Sequence, residues 1–536
     1  MNMVQVYEES KAWPFVEAKR LLKHIERKGK KPGDVVTFES GYGPSGAPHI
    51  GTFAEVVRTL WVMKAFDDLT QNAYQTRLIM FSDDYDGFRK VPDGMPEWMN
   101  DHLGEPLSMV PNPYGTEDGS FADANNTRLV EFVDAILATY NNSVVGSSPN
   151  RSRVSFVSSS DYYSFGKFNN MLDRVFDSNQ AILDIILPTL GEDRRQTYSP
   201  FMPVFHDSVS LNKTPHVNQV PVVLSTENGK RFLEFNLGST PCVVDIHNGR
   251  TKLQWKVDWA MRWVYFDVDY EMSGKDLTDS VRLSGQICRV LGGIPPINLT
   301  YELFLDKNGA KISKSKGNGF TIEEWLQYGT QESLAYYLYR EPTRAKNLHA
   351  GVVPIAMDDY NNSLKLYATQ TASQQLGNPV YHVHNGDVNS SHNEVSYSLL
   401  LNLIGSTGIT DSEVVGKIVE QYCGNNQVSS IIPLAGNYFN DHLSGSISFR
   451  SPTEYEYGLL SSMLDEFRTL DNPTAESIQS IVYEIGKSAN YEKLQEWFKA
   501  IYEIVFGSEQ GPRVGTFAEM VGLDQFIQMV EERIQV

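Results

Sequence analysis

The apolar pattern near the start of the chain changes period twice. Residues 35–39 (VVTFE) form a short apolar run of the kind a buried strand makes. Glycine and proline interrupt it over 40–48 (SGYGPSGAP). Apolar residues then recur at helical spacing through Phe53, Val56, Val57, Leu60 and Trp61. A second strand-like run, 77–81 (RLIMF), ends in the acidic turn Ser82, Asp83, Asp84. Strand, helix, strand in this order predicts a βαβ unit, and hence an α/β fold on a parallel sheet.

Beyond Pro92 the pattern is mixed. Helical stretches at 127–140 and 168–187 precede strand-like segments at 220–225 and 231–236, as in an inserted module. The core pattern resumes at 251–263 and runs through Lys316. From Leu334 onward helical periodicity dominates, with a polar break over 377–394. The expected organisation is a first half-core with an N-terminal helix (1–95), an insert (96–245), a second half-core (246–330) and two helical regions (331–390 and 391–536).

A chain of 536 residues with 41% hydrophobic positions can bury several cores. No apolar run approaches the roughly 20 residues of a membrane helix. The first ten residues lack the basic start and apolar centre of a secretory leader. Cys242, Cys288 and Cys423 are too scattered for a disulfide framework. The cytoplasm is the expected compartment, and no stable protein partner is implied. The net charge of −20 argues against a wholly basic nucleic-acid binder, yet binding follows the local field. One basic run stands out: Lys19, Arg20, Lys23, Arg27, Lys28, Lys30 and Lys31, interrupted by Glu26. It is either a solvated helix face or a track for phosphates.

Gly41, Gly43 and Gly46 match G-x-G-x-x-G between a strand and a helix, the dinucleotide fingerprint. The ribose acid of that fingerprint belongs about 20 residues further on, whereas Asp83 and Asp84 come much later. The segment continues Pro44, Ser45, Gly46, Ala47, Pro48, His49, Ile50, Gly51, Thr52. This turn sets an imidazole at a positive helix end, where it can donate to charge developing on a phosphate.

Far downstream, Lys311-Ile312-Ser313-Lys314-Ser315-Lys316 places three lysines in a serine-rich loop. Ammonium groups there act as point charges that can follow a departing pyrophosphate. The two segments together resemble the His-Ile-Gly-His and Lys-Met-Ser-Lys-Ser elements of class I aminoacyl-tRNA synthetases. Thr52 stands in place of the second histidine and Ile312 in place of the methionine. Residues 81–92 (FSDDYDGFRKVP), 102–113 (HLGEPLSMVPNP), 253–263 (LQWKVDWAMRW), 273–276 (SGKD), 301–318 (YELFLDKNGAKISKSKGN) and 510–517 (QGPRVGTF) narrow the likeness to the class I lysyl-tRNA synthetases.

That resemblance implies a Rossmann-like core, an inserted connective or acceptor-binding domain and a helical anticodon-binding end. It implies ATP with Mg²⁺, L-lysine and tRNA(Lys) as partners. The expected catalytic residues are His49, Thr52, Lys311 and Lys314. Gly43, Pro44, Ser45, Gly46, His49, Gly51, Lys311, Ser313 and Lys314 are expected at ATP. Gly41, Gly43, Asp83, Asp84, Trp255, Asp258 and Tyr301 are expected at lysine, with Asp83 and Asp84 undivided. Trp259 and Trp263 are expected in the core.

Some members of the family carry a zinc ribbon in the insert. Here Cys242 is the only cysteine there, among scattered His206, His216 and His247. Four closely spaced ligands are lacking, so no structural zinc is expected. His382 and His384 suit local packing better than metal binding. Three rival functions remain in view: a dehydrogenase, an inactive RNA-binding paralogue, and a glutamate-charging relative whose pocket would offer an arginine such as Arg89.

Overall fold

Strands rich in Val, Ile, Phe and Met build the centre of the molecule, and those over Val35–Tyr42, Gln75–Ser82 and Val268–Gly274 bury most of their residues. The computed structural model describes residues 3–115, 119–141, 153–205, 215–312, 319–389, 391–423 and 428–535. Its strands are β1 (Val35–Tyr42), β2 (Gln75–Ser82), β3 (Val154–Ser158), β4 (Phe201–Phe205), β5 (His216–Val217), β6 (Val223–Glu227), β7 (Lys230–Leu237), β8 (Thr240–Asp245), β9 (Thr251–Leu253), β10 (Val268–Gly274), β11 (Ile297–Tyr301), β12 (Phe304–Leu305) and β13 (Lys346–Asn347). The helices through residue 290 are α1 (Met3–Glu9), α2 (Trp13–Arg27), α3 (Ile50–Thr70), α4 (Phe121–Asn141), α5 (Ser159–Ser164), α6 (Asn169–Asp177), α7 (Asn179–Ile186), α8 (Glu192–Thr197), α9 (Trp255–Tyr265) and α10 (Thr278–Val290).

The central sheet runs β11-β10-β1-β2-β3, and every neighbouring pair is parallel. The chain winds from β1 outward to β3, then returns to the other side of β1 with β10 and β11. The order therefore reverses between β1 and β10. In such sheets the crevice beyond the carboxyl ends of those strands is where ligands bind. Those ends are Gly41 and Tyr42, Ser273 and Gly274, and Tyr301.

The sequence pattern assigns 96–245 to an insert, but β3 lies inside that range and completes the sheet. As an edge strand it leaves Ser155 and Phe156 exposed, so it lacks the unbroken apolar run that marks β1 and β2. Elsewhere the stretch has its own small layers: β4 joins β5 and β9, and β6, β7 and β8 form an antiparallel meander. Phe88, Met99, Leu107, Val110 and Phe121 form a satellite core after β2.

Helix α3 is buried on nearly every side, from Phe53 to Leu69. Helix α2 packs on it and buries Phe15, Ala18, Leu21 and Ile25. The basic run, which starts within α2 and ends just beyond it, is partly consumed inside the fold. Lys28 and Lys30 reach Asp269 at 2.6 and 2.5 Å, and the fully buried Asp269 also accepts from Thr37 N. His382 is likewise internal. It stacks on Tyr339 with ring centres 4.7 Å apart, and its Nε2 lies 3.0 Å from the Leu376 carbonyl.

The chain divides into two compact units. The first comprises Met1–Thr321, Leu338–Leu348 and Gln370–Val388; the second comprises Ile322–Tyr337, His349–Thr369 and Asn389–Val536. The described residues of the second unit contain helices and no strand. Its segments are tied together by side chains: Tyr397 Oη donates to the Tyr328 carbonyl, and Asp358 accepts from the backbone of Tyr397 and Ser398. No helix among the described residues is long and apolar enough to cross a membrane.

Candidate active site

After Tyr42 the chain leaves the sheet through Gly43, Pro44, Ser45 and Gly46 and enters α3 at His49. Asn125 of α4 donates to the Pro44 carbonyl and fixes this loop. His49 is the helix cap: its Nδ1 accepts from Thr52 N at 3.2 Å. A neutral imidazole that accepts at Nδ1 carries its proton at Nε2. The cap thus orients the ring as a donor at the positive end of α3. Thr52 contributes its backbone N–H to this arrangement.

Two cavities open at the carboxyl ends of the strands. The first, of 180 Å³, is lined by His49, Gly51, Gly274, Asp276, Tyr301, Phe304 and Lys311, among others. Lys311 Nζ lies 2.6 Å from Asp276 Oδ2. Both glycines are needed for space. A Cβ on Gly51 would come within 2.8 Å of the His49 ring, and one on Gly274 within 2.7 Å of Asp276 Oδ1. Aromatic walls, a carboxylate able to accept from hydroxyls, and an imidazole and ammonium able to meet phosphates suit a nucleoside triphosphate.

The second cavity, of 190 Å³, shares Leu277 with the first. Gly41, Gly43, Glu55, Asp83, Trp255, Trp259, Arg262 and Glu271 line it. Helix α9 supplies the wall. Trp255, Trp259 and Trp263 fall at i, i+4 and i+8, with successive ring centres 5.3 and 5.1 Å apart. Trp259 Nε1 donates to Glu271 at 2.9 Å, and Trp263 Nε1 donates to the same carboxylate. Arg262 Nη1 meets Asp83 at 2.6 Å and Asp258 at 3.4 Å, and its Nε meets Glu39 at 3.0 Å. A Cβ at position 41 would press to 3.2 Å from Arg262 Nη2, which explains Gly41.

Burial dominates the proton affinities here. It pushes the Asp83 and Glu271 carboxyls up to about 7 each, against the pull of Arg262. Glu39 is raised well above the carboxylate range by burial and by Glu271 beside it. Asp84 is lifted by burial to about 6, with hydrogen bonds from Ser158 and Ser160 opposing.

The structure thus gathers Gly41, Gly43, Asp83 and Trp255 around the acidic cavity, and His49, Gly51, Lys311 and Tyr301 around its neighbour. Pro44, Ser45 and Gly46 form the intervening loop. Asp84 points away and binds Ser158 Oγ and Ser160 N. Asp258 is buried beneath the cavity, held by Lys252, Arg262 and Tyr163. Ser313 and Lys314 lie outside the described residues. Trp259 is buried, as its core assignment requires, and it also faces the cavity.

Glu55, Arg262 and Glu271 were not foreseen from sequence. Arg262 had a signal, since Asp258 and Arg262 stand four residues apart, the spacing of neighbours on one helix face. Arg89 is exposed, so the cavity's arginine is Arg262, already engaged by three carboxylates. In the inserted stretch His247 pairs with Asp173 and Asp245. Cys242 Sγ faces the Thr240 carbonyl. His206 lies outside the described residues.

Comparison with known proteins shows what this chain is similar to. The family model described as tRNA synthetases class I (K) matches residues 11–387. A lysine–tRNA ligase of Roseobacter denitrificans is 38% identical over 535 residues, covering 97% of this chain and 96% of that one. A lysine–tRNA ligase of Rickettsia bellii is 40% identical over 538 residues, covering 98% of each. Among solved structures, a glutamate tRNA ligase from Elizabethkingia meningosepticum aligns at 11% identity and a TM-score of 0.36, over 94% of this chain and 99% of that one. With the family model spanning most of the chain and relatives matched from end to end, this chain belongs to the class I lysyl-tRNA synthetases.

Proposed function

We propose that this chain is a cytoplasmic lysine–tRNA ligase that activates L-lysine with ATP and transfers it to the 3′-terminal adenosine of tRNA(Lys). The observation that supports it best is the pairing of an acidic, tryptophan-walled cavity with one lined by His49 and Lys311, the two sharing Leu277. In the first step the lysine carboxylate attacks the α-phosphate of ATP in line, the bond to the β-phosphate breaks, and pyrophosphate leaves. In the second, the 2′-hydroxyl of the terminal adenosine attacks the lysyl carbonyl and AMP departs.

Positioning and charge neutralisation carry such chemistry. His49 donates from Nε2 to a phosphate oxygen as charge builds there. Lys311 and Lys314 follow the pyrophosphate. Gly51 and Gly274 give the nucleotide room. ATP as substrate would carry Mg²⁺, which would offset part of the phosphate charge. Trp255 and Trp259 cover the methylenes of the substrate, and the carboxylates around them suit its ammonium.

The second unit, built of helices, is the region we assign to tRNA. ATP–pyrophosphate exchange with each of the twenty amino acids, with and without tRNA(Lys), tests the whole reading. Exchange that depends on lysine and is promoted by tRNA is expected. Exchange with glutamate instead, or none with lysine under either condition, overturns it.

A further inference from the structure

Glu39 and Glu271 are register partners on the adjacent parallel strands β1 and β10, and they are 0% and 1% exposed. Neither Glu39 oxygen makes a hydrogen bond; its ion-pair partner is Arg262 Nε. Glu271 is held differently, by the two indole donors of α9, and it reaches the cavity. Two neighbouring carboxylates without solvent cannot both ionise freely.

The surrounding groups do not neutralise them. Asp83 stands at the end of β2, Glu55 on α3, and Asp258 and Arg262 on α9. Lys252 of β9 is spent on Asp86 and Asp258. From β11, Asn298 donates only to the backbone carbonyl of Glu271. Five carboxyls, Glu39, Asp83, Asp86, Asp258 and Glu271, therefore face two cations, Arg262 and Lys252. A cavity holding only water leaves this cluster short of positive charge, and a retained proton is the cheapest remedy.

We propose that the Glu39–Glu271 pair holds a proton in the empty enzyme and gives it up to solvent as the side-chain ammonium of lysine enters, so that this exchange selects cationic over uncharged side chains. The inference rests on lysine being the substrate. The ammonium keeps its own proton throughout; the one released comes from the carboxyl pair. An uncharged side chain of similar length brings no compensating charge, so its entry is favoured only while the pair stays protonated. Burial raises both carboxyls above the ordinary carboxylate range, and it lifts Glu271, the one that reaches the cavity, to about 7.

The test is the pH dependence of KM for lysine in aminoacylation, at saturating ATP and tRNA, with norleucine as competing inhibitor. For the wild type, KM should fall about tenfold from pH 6 to pH 8, the change expected for one group titrating near 7. The preference for lysine over norleucine should grow alongside. Glu271→Gln should flatten both trends. Trp263→Phe, which keeps the acid but removes a donor to its ionised form, should shift the midpoint to higher pH. It also serves if Glu271→Gln fails to fold. Identical profiles for the wild type and a folded Glu271→Gln, or an unmoved midpoint in Trp263→Phe, overturn the proposal. If the wild type charges no lysine at any pH, the substrate assignment fails and this inference with it.

Discussion

The hydroxyl of Tyr301, at the end of β11, donates to the carboxylate of Glu55 in the second turn of α3. Tyr301 lines the cavity of His49 and Lys311, whereas Glu55 lines the acidic one, so a single hydrogen bond joins their walls. Arg58, also on α3, places its guanidinium 5.5 Å from the centre of the Tyr301 ring and holds it from behind. Glu55 accepts as well from Ser40 Oγ at 2.9 Å.

Tyr301→Phe removes one of those two donors while keeping the ring. A hydrogen bond to a charged group contributes about 1.5 kcal/mol, so KM for lysine should rise roughly tenfold. KM for ATP should move much less, because the ring face persists. Steady-state aminoacylation with each substrate varied in turn reads both. An unchanged KM for lysine would remove the pair from the lysine site.

Lys314→Ala should slow adenylate formation while leaving lysine affinity nearly intact, since it engages the pyrophosphate only as that group separates. Loss of one charged donor to a transition state costs about 2–4 kcal/mol. Lys311→Ala should act in the same direction and also release Asp276 from its 2.6 Å ion pair. Pyrophosphate exchange within about threefold of wild type, less than 1 kcal/mol of barrier, would end this role for either lysine.

His382 predicts a pH effect on stability. Burial lowers its proton affinity to about 3, from the ordinary 6.5. Below pH 6.5 the unfolded chain takes up a proton there that the folded chain refuses. The stability contributed above 6.5 is therefore lost progressively as pH falls toward 3, by about 2 kcal/mol at pH 5. His382→Phe keeps an aromatic ring against Tyr339. Its Tm should fall less than that of the wild type between pH 7 and pH 5, even if its Tm at pH 7 is lower. Equal losses in thermal melts would mean that other groups set the acid response.

The parts of the molecule legible in sequence are those where one short segment does the work. The β1–α3 turn could be read because glycines, prolines and a capping histidine are consecutive, and their spacing fixes their geometry. The acidic cavity could not be read that way. Glu55 sits in the second turn of α3, where a glutamate usually marks a wet surface. Glu271 sits in a buried strand and takes its meaning from Glu39, 232 positions earlier, through strand pairing. Asp83 and Asp84 are adjacent in the chain, but β3 and α5 claim Asp84 through Ser158 and Ser160. Since β3 itself went unread, the choice between the two acids had no basis in sequence.

The basic run along and just beyond α2 yields the last prediction, because the structure splits it into two kinds of cation. Lys28 and Lys30 are turned inward to Asp267 and Asp269. Lys19 donates to the carbonyls of Glu8 and Ser10, and Arg20 pairs with Glu17. Lys23, Arg27 and Lys31 are exposed. Only these outward cations suit phosphates. The net charge of −20 does not forbid it: at about 0.15 M salt, screening confines each charge to roughly 8 Å. Lys28→Gln should therefore cost stability, on the order of 3 kcal/mol for half of a buried pair, and be visible in Tm. Changing Lys23, Arg27 and Lys31 together to Gln should leave Tm nearly unchanged and weaken tRNA binding. For every phosphate no longer neutralised, the slope of log affinity against log salt should become shallower by about 0.9 if the track meets duplex. A triple variant with wild-type affinity and slope, measured by filter binding across a series of salt concentrations, would reduce these three residues to ordinary surface.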